Sequence, residues 1–599
     1  MKWSVIIGAL VFAACPKVMT EVDAGTVAEV DAGSASPDAG MPMDAGMEPD
    51  AGMLSAVLGP DLWTDVGVPV QIDASGSTGA EEFEFAFGDG SPPMRTQQPI
   101  VMHTFGSPGR YHVVLTAFDR RRRFRRAEQL VAATWPRLAS SPPASSIVII
   151  DGGVAVAVTD ADSIARVVQL DGGFVRSSVP TCHEPISLAP LDGDRLAVAC
   201  RSGVVEVGAA SIDFGASSRP VSIARSGPQL SVALAGADRV ADISLASSPP
   251  IVTNGLDVAD PHGLAVGPSG LAIARFRSIA DGGLVTWSTG ATTSLAIDPQ
   301  PASDTELGGI PNLLGHLAFS PDGRTLVVSS LQANTLEGSF RAAKPLTFET
   351  TVRAVTSFID VATKQEQFDR RKQWDQLGRA GAIAFSPRGD FLYIAMPANG
   401  AIERYDMLND SAAGEIANVG ADVRGLAVSD DGRLLYADAQ LSREVVIYDV
   451  SSMGLLPTEP LARVRTVTTE PLPSQLLLGK KLFNDASDPR LTREGYIACS
   501  HCHPDGDEDG IVWDFTDRGE GLRNTLSLLG RRGSGDGPIH WSGNFDEVQD
   551  FEGDIRNAFG GTGLLSNADW AVSSASMGPS KAGRSAELDA LAAYVTSLS

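Results

Sequence analysis

Leu317-Ala-Phe-Ser-Pro-Asp-Gly-Arg-Thr-Leu326 joins an apolar strand to a second one through a tight Pro-Asp-Gly turn. The pattern recurs at Ile147-Val-Ile-Ile-Asp-Gly-Gly-Val154, Leu188-Ala-Pro-Leu-Asp-Gly-Asp-Arg-Leu196, Ile223-Ala-Arg-Ser-Gly-Pro-Gln-Leu230 and Leu264-Ala-Val-Gly-Pro-Ser-Gly-Leu271. It returns at Ile383-Ala-Phe-Ser-Pro-Arg-Gly-Asp-Phe-Leu392 and Leu426-Ala-Val-Ser-Asp-Asp-Gly-Arg-Leu-Leu435. One such unit cannot bury both faces by itself, so the copies must stack on one another. Seven copies spaced by roughly forty residues predict a seven-bladed β-propeller over residues 135–468, one four-stranded sheet per copy. The wider gap between the fifth and sixth copies leaves room for an insertion around residues 331–354.

The later copies resemble the YVTN family of propellers. Such propellers host enzymes and binding platforms alike, so the ligand of this one stays unknown. Cys182 and Cys200 fall in the second blade region. In an exported protein they form either a disulfide or a pair of buried thiols. His183, His262 and His316 lie near blade boundaries and read as structural histidines. No Ser-His-Asp set, histidine metal cluster or phosphate loop can be assembled.

Residues 56–134 alternate apolar and polar side chains between Gly, Pro and Asp turns, as in Phe83-Glu-Phe-Ala-Phe-Gly-Asp-Gly90 and Pro108-Gly-Arg-Tyr-His-Val-Val-Leu115. That is the pattern of a small β-sandwich. The F-G-D-G turn and the G-x-Y-x-V-x-L strand resemble the PKD domain, which implies a spacer or adhesive module. The basic run from Arg120 to Arg126 reads as a solvated hairpin or an interdomain contact. A net charge of −26 argues against nucleic acid as a partner.

At the amino end, Met1-Lys2 and an apolar run from Val5 to Ala14 precede Cys15. Residues 1–14 resemble a bacterial lipoprotein signal peptide, with Phe12-Ala-Ala-Cys15 as its lipobox. The resemblance implies lipidation of Cys15, export, and contact with a membrane through the lipid anchor only, at the periplasmic or surface side of the bacterial cell envelope. An ordinary secretory signal is the alternative. Residues 15–55 repeat Asp-Ala-Gly from Asp23, Asp31, Asp38, Asp44 and Asp50, a composition that cannot bury a core and reads as a disordered linker.

Cys499-Ser-His-Cys-His503 carries the chemistry. C-x-x-C-H attaches a c-type haem: two thiols bond the porphyrin vinyl groups and the adjacent imidazole reaches the iron. A chain with this Cys and His content yields roughly 0.0006 such motifs by chance, so coincidence is a poor explanation. A zinc ribbon would need a second ligand pair, which the surroundings lack. Residues 469–599 are therefore expected to form an all-α, cytochrome c-like domain. Ser474 is placed to cap a helix carrying Gly479 and Phe483, and Ser585 to cap a last helix carrying Leu591 and Tyr594, the two crossing closely.

Leu478-Gly-Lys-Lys-Leu-Phe-Asn-Asp485, Asp488-Pro-Arg-Leu-Thr492, the haem motif, Arg523-Asn-Thr-Leu-Ser-Leu528 and His540-Trp-Ser-Gly-Asn544 resemble the N-terminal haem domain of the di-haem cytochrome c peroxidase family. The resemblance implies thioethers at Cys499 and Cys502, His503 as proximal iron ligand, and Arg523, Asn524 and Trp541 around the haem. That family carries two haem motifs and this chain has one. Met577 and His540 are the candidates for the distal iron position, where a strong ligand favours electron transfer and an open site favours catalysis. Asp505, Asp507 and Asp509 spell D-x-D-x-D-G, the first half of a calcium loop. Thr516 stands where its bidentate glutamate belongs, which leaves a looser calcium site or a solvated acidic turn.

Taken together, these readings predict a β-sandwich, a seven-bladed propeller and a haem domain. The expected function is exported electron transfer through one covalent haem c to a redox partner or from an electron donor. The alternatives are a peroxidase-like oxidoreductase reducing hydrogen peroxide and a non-redox propeller scaffold.

Overall fold

In the computed structural model, which describes residues 53–138, 142–278, 282–299, 306–347, 349–516 and 519–598, each copy of the repeat becomes the start of a separate antiparallel sheet. The seven sheets span residues 147–180, 185–213, 220–257, 261–295, 310–374, 383–416 and 423–465, here blades 1 to 7. The turn chemistry explains why the repeat looks as it does. In blade 5 the Ser320 hydroxyl donates to Asp322 (2.5 Å) and accepts from the Thr325 amide (3.0 Å), while Gly323 takes a φ of +70° that the turn requires. Blade 6 has Arg388 at the aspartate position, and the carboxylate comes from Asp390 instead, accepting from Ser386 Oγ at 2.6 Å.

Strands pair in chain order within the blades, and among the described residues the last sheet is built from residues 423–465 alone. The ring closes through side chains: Ser146 Oγ donates to Asp438 Oδ2 (2.7 Å) and Gln440 Nε2 to Thr159 Oγ1 (2.7 Å). Gly425 allows this approach, since a Cβ there would lie 2.4 Å from Ser146 Oγ. Cys182 and Cys200 are joined by a disulfide in the second blade region, with their Cα atoms 6.0 Å apart. The insertion in blade 5 lies between long strands Thr325–Ala333 and Val352–Asp360 and carries a one-turn helix, α1 (Ser339–Ala342).

The sandwich pairs a five-stranded sheet with a two-stranded one around Ile72, Phe83, Phe85, Phe87, Phe105, Val113 and Leu115. It leans on blade 6, where Trp63 Nε1 donates to Asp390 Oδ2 (3.0 Å) and the Arg110 guanidinium, 4.3 Å over the Phe391 ring, pairs with Asp406 at 3.0 Å. The basic run is a hairpin end whose Arg120 and Arg122 pair with Glu81 and Glu82.

The carboxyl-terminal segment corrects the all-α expectation. It contains α2 (Ser474–Asn484), the single turn α3 (Cys499–Cys502), α4 (Glu552–Asn557), α5 (Asn567–Ser573) and α6 (Ala586–Ser597). Between α3 and α4 stand a β-hairpin, Val512–Phe515 with Gly521–Asn524, and a long irregular stretch. Val512-Trp-Asp-Phe515 alternates like a strand, and the glycines that follow from Gly530 to Gly543 deny a helix there.

Ser474 is the first residue of α2, preceded by Pro473, and its side chain caps nothing; Ser585 does cap α6, accepting from the Leu588 amide at 3.2 Å. The expected crossing is present: a Cβ on Gly479 would lie 1.9 Å from the Ala590 carbonyl oxygen, and Phe483 meets Tyr594 edge-on at 5.2 Å. The signal segment, Cys15 and the Asp-Ala-Gly repeats up to residue 52 lie outside the described residues. Among the described residues no helix is long and apolar enough to cross a membrane.

Candidate functional site: the haem motif on the propeller mouth

The C-x-x-C-H stretch folds as one helical turn, closed when the His503 amide donates to the Cys499 carbonyl at 2.9 Å. That turn brings the two thiols onto adjacent positions of a helix face, and neither is in a disulfide. Cys499 joins the core between α2 and α6, with Leu482, Phe483 and Leu591. Cys502 joins a second cluster shared with the propeller: Leu313, Leu331 and Val352 of blade 5 meet Tyr496, Ile497, Ile511 and Trp513. Burial pushes the Cys499 thiol up to about 11 and raises Cys502 well above its usual range, and burial holds the His503 imidazole down at about 4.

These residues suit a covalently held porphyrin. Two unbridged thiols one turn apart are lined by apolar side chains, and Nδ1 of the next residue, His503, is buried with no hydrogen-bond partner. His501, between the cysteines, does something the motif does not announce. Its Nδ1 accepts from the Ala498 amide (2.7 Å) and its ring lies so close to the propeller that a Cβ on Gly378 would be 2.3 Å from it.

The other expected site residues divide into two groups. Arg523, Asn524 and Trp541 come together: the Trp541 indole donates to the Asn524 carbonyl at 2.8 Å, and the Arg523 guanidinium lies 5.9 Å from its ring centre. His540 is held in its own loop by Glu520 (2.6 Å) and Asn544 (3.0 Å), stacked on Phe545. Met577, 53% exposed at a left-handed position between α5 and α6, is held by no comparable set of contacts.

Asp505, Asp507 and Asp509 do not converge, and among the described residues no group of three or more His, Cys, Asp or Glu is arranged to hold a metal ion. Asp505 pairs with Arg201 (2.9 Å) and Arg424 (3.3 Å), Asp507 with Arg219 (3.3 Å) and Arg277 (3.6 Å), and Glu508 with Arg277 (3.7 Å). Asp509 is buried and turns inward, accepting from the Ile511 amide and the Trp513 indole. The acidic turn therefore faces arginines of the propeller.

Those arginines share one end of the propeller. Arg219 precedes the first strand of blade 3 and Arg424 begins that of blade 7, while Arg201 and Arg277 follow the second strands of blades 2 and 4. The start of a first strand and the end of its antiparallel partner lie on the same edge. Sequence reading missed this mouth because the arginines are scattered over more than two hundred residues. The signal available was a three-carboxylate turn directly behind the haem motif, which invites the question of what neutralises it.

Two stretches match family models: residues 61–124 match the PKD domain, and residues 315–464 match the lactonase 7-bladed beta-propeller. A PKD domain joined to a seven-bladed, lactonase-like propeller is thus the class that the fold defines. Neither match reaches the haem motif. No curated protein matches the chain. Among solved structures it is similar to Kuenenia stuttgartiensis hydrazine synthase, at 14% identity over 53% of this chain and 97% of that one, with a TM-score of 0.41, a likeness too slight to bear on function.

Proposed function

We propose that this chain is an exported c-type haem protein whose propeller and PKD domain are interaction modules carrying a single-haem electron-transfer segment. The observation that supports it is the pair of free, half-buried cysteines on one helical turn followed by His503 with an unpartnered ring nitrogen. Cys499 and Cys502 would hold the porphyrin through thioethers, and His503 would be the protein's ligand to its iron. When bound, the haem supplies reversible one-electron chemistry. Apolar walls from α2, α6 and blade 5 line the attachment side, and burial of this kind is one of the levers that set a haem potential. Met577 and His540 remain the candidates for a second protein ligand. A redox protein is the natural partner, because one haem passes one electron at a time.

A second reading is a non-redox propeller scaffold, in which the segment closes one end of the ring. It is favoured by the reach of the family matches, which cover the PKD domain and part of the propeller alone. The peroxidase reading is weaker, since two-electron reduction of peroxide would draw its second electron from outside a chain with one motif.

Expression in a host with haem c maturation, followed by an alkaline pyridine spectrum, separates them. One haem per chain, lost in Cys499→Ser/Cys502→Ser, supports the proposal; a colourless, folded protein supports the scaffold. A low-spin spectrum that is indifferent to peroxide supports electron transfer, and a high-spin one that reacts with peroxide supports the oxidoreductase.

A further inference from the structure

We infer that the arginine-lined mouth of the propeller is a carboxylate-binding site for an acidic peptide segment, and that the chain's own Asp505–Glu508 turn occupies it as a latch that seals the haem motif against the ring. Arg201, Arg219, Arg277 and Arg424 come from blades 2, 3, 4 and 7, so no single sheet accounts for them. Arg379, half-buried between blades 5 and 6, adds a fifth charge beside Asp505. Within the propeller, Arg277 is bonded to Asp260 and Arg424 to Asp422, so the five arginines outnumber these aspartates by three. The turn brings three carboxylates: Asp505, Asp507 and Glu508. On a chain of net charge −26, a basic mouth filled by the chain's own acids is a matched pair and not an average surface.

The fit is close in space as well as in charge. The turn leaves a cavity of only about 30 Å³ against Arg201, Arg219, Asp260, His262 and Arg277, room for a water or two. Gly506 sits in the turn with φ +83°, where a Cβ would press on Leu598 at 2.9 Å, so the acidic turn is also tied to the end of the last helix. Pro504 alone separates His503 from Asp505. Closing the latch therefore carries the haem motif with it, places His501 against Gly378 and packs Cys502 against blade 5 side chains.

A consequence follows that rests on the haem reading of the preceding section. Attachment adds each S–H across one vinyl group, sulfur to one carbon and hydrogen to the other, with no oxidant or reductant consumed. It requires both sulfurs to be reachable, and in the closed form both are only half-exposed, packed against apolar side chains. Opening the latch then speeds haem loading, and the latch closes on the product.

The test uses the full chain made without haem maturation, labelled with a maleimide and read by mass on the tryptic peptide 494–518, which holds Cys499 and Cys502 and no other cysteine. Wild type labels slowly. Asp505→Asn/Asp507→Asn and, separately, Arg201→Gln/Arg424→Gln are expected to label at least tenfold faster at both cysteines together, with unchanged propeller melting. The exposed pair variant Arg122→Gln changes nothing. Equal labelling in wild type and both double variants overturns the latch.

Should a double variant fail to fold, wild type in rising sodium chloride decides. The latch pairs are partly solvated, so screening must speed labelling severalfold between about 0.05 and 1 M salt, and a flat response overturns the inference. A synthetic peptide of residues 503–510 added to Asp505→Asn/Asp507→Asn must slow the labelling again; if it does not, the mouth is no acidic-peptide site. None of these readouts needs haem, so the latch can stand where haem loading fails, and the reverse.

Discussion

Where blades 4 and 5 meet, Val285, Trp287, Leu317, Leu326 and Val328 are buried against one another, and a buried ion pair, Arg371 with Glu366 at 2.7 Å, stands beside this apolar interface. The carboxyl-terminal segment has a comparable apolar centre between α2 and α6, but much of its long irregular stretch is organised by ions taken out of water. Glu552, 0% exposed, accepts from the Leu564 and Leu565 amides and pairs with Arg556 at 2.7 Å; Lys581 pairs with Asp550 at 2.5 Å, both nearly fully buried. A repeat with apolar interfaces loses a methyl group and relaxes. A buried ion that loses its partner leaves an uncompensated charge, so the same number of atoms costs more. The segment is thus the brittle part of the molecule and the propeller its support.

The largest effect expected from this contrast is at Glu552. Glu552→Ala should cost about 3–5 kcal/mol, orphaning Arg556 and two amides. Hydrogen exchange would show protection lost around residues 552–567 and retained in the blades; an equal loss in both regions would erase the contrast. Next comes a carboxyl buried at the closure of the ring, Asp438. Burial raises it to about 7, against the lowering effect of the Ser146 hydroxyl and beside Asp422, Arg424 and Arg443. The folded form then keeps a proton that the unfolded chain releases near pH 4, so stability falls as pH rises from about 4 to about 7. The total is on the order of 2–4 kcal/mol. Asp438→Asn keeps an acceptor for Ser146 and removes that slope, so its melting advantage should grow from pH 5 to pH 8; a constant gap would show that Asp438 does not carry the proton.

Smaller effects sharpen the picture. Gly479→Val must push α2 off α6, since its Cβ would sit on the Ala590 carbonyl, at a cost of about 1–3 kcal/mol in denaturant unfolding of the segment. Ser585→Ala should cost about 1 kcal/mol through the lost cap. Arg122→Ala, in an exposed pair, should stay within about 0.5 kcal/mol, and a larger loss would mean that the hairpin does more than face solvent.

The propeller was legible because repetition multiplies a weak signal. No one of its strand-turn-strand stretches is decisive, but seven in register are, and the Ser and Asp of the turn recur because they bond each other. The PKD domain was legible for a similar reason, through alternation and its Gly-Asp-Gly turn. In the last segment only short-range chemistry could be read: the haem motif, the Ser585 cap and the Gly479 crossing. The hairpin that replaces part of the expected helical domain depends on Trp513 packing beside blade 5, a contact between residues far apart in the chain. Asp505 looked like a calcium ligand for the same reason. Its partners in the structure, Arg201 and Arg424, lie about three hundred and about eighty residues before it respectively, and the motif alone does not reveal them.

Peptide mass most directly tests the central claim that the turn at Cys499 to His503 is a haem attachment site. After maturation in a competent host and tryptic digestion, residues 494–518 should carry the added mass of one tetrapyrrole, absent in Cys499→Ser/Cys502→Ser. An unmodified wild-type peptide with two free thiols would contradict the claim.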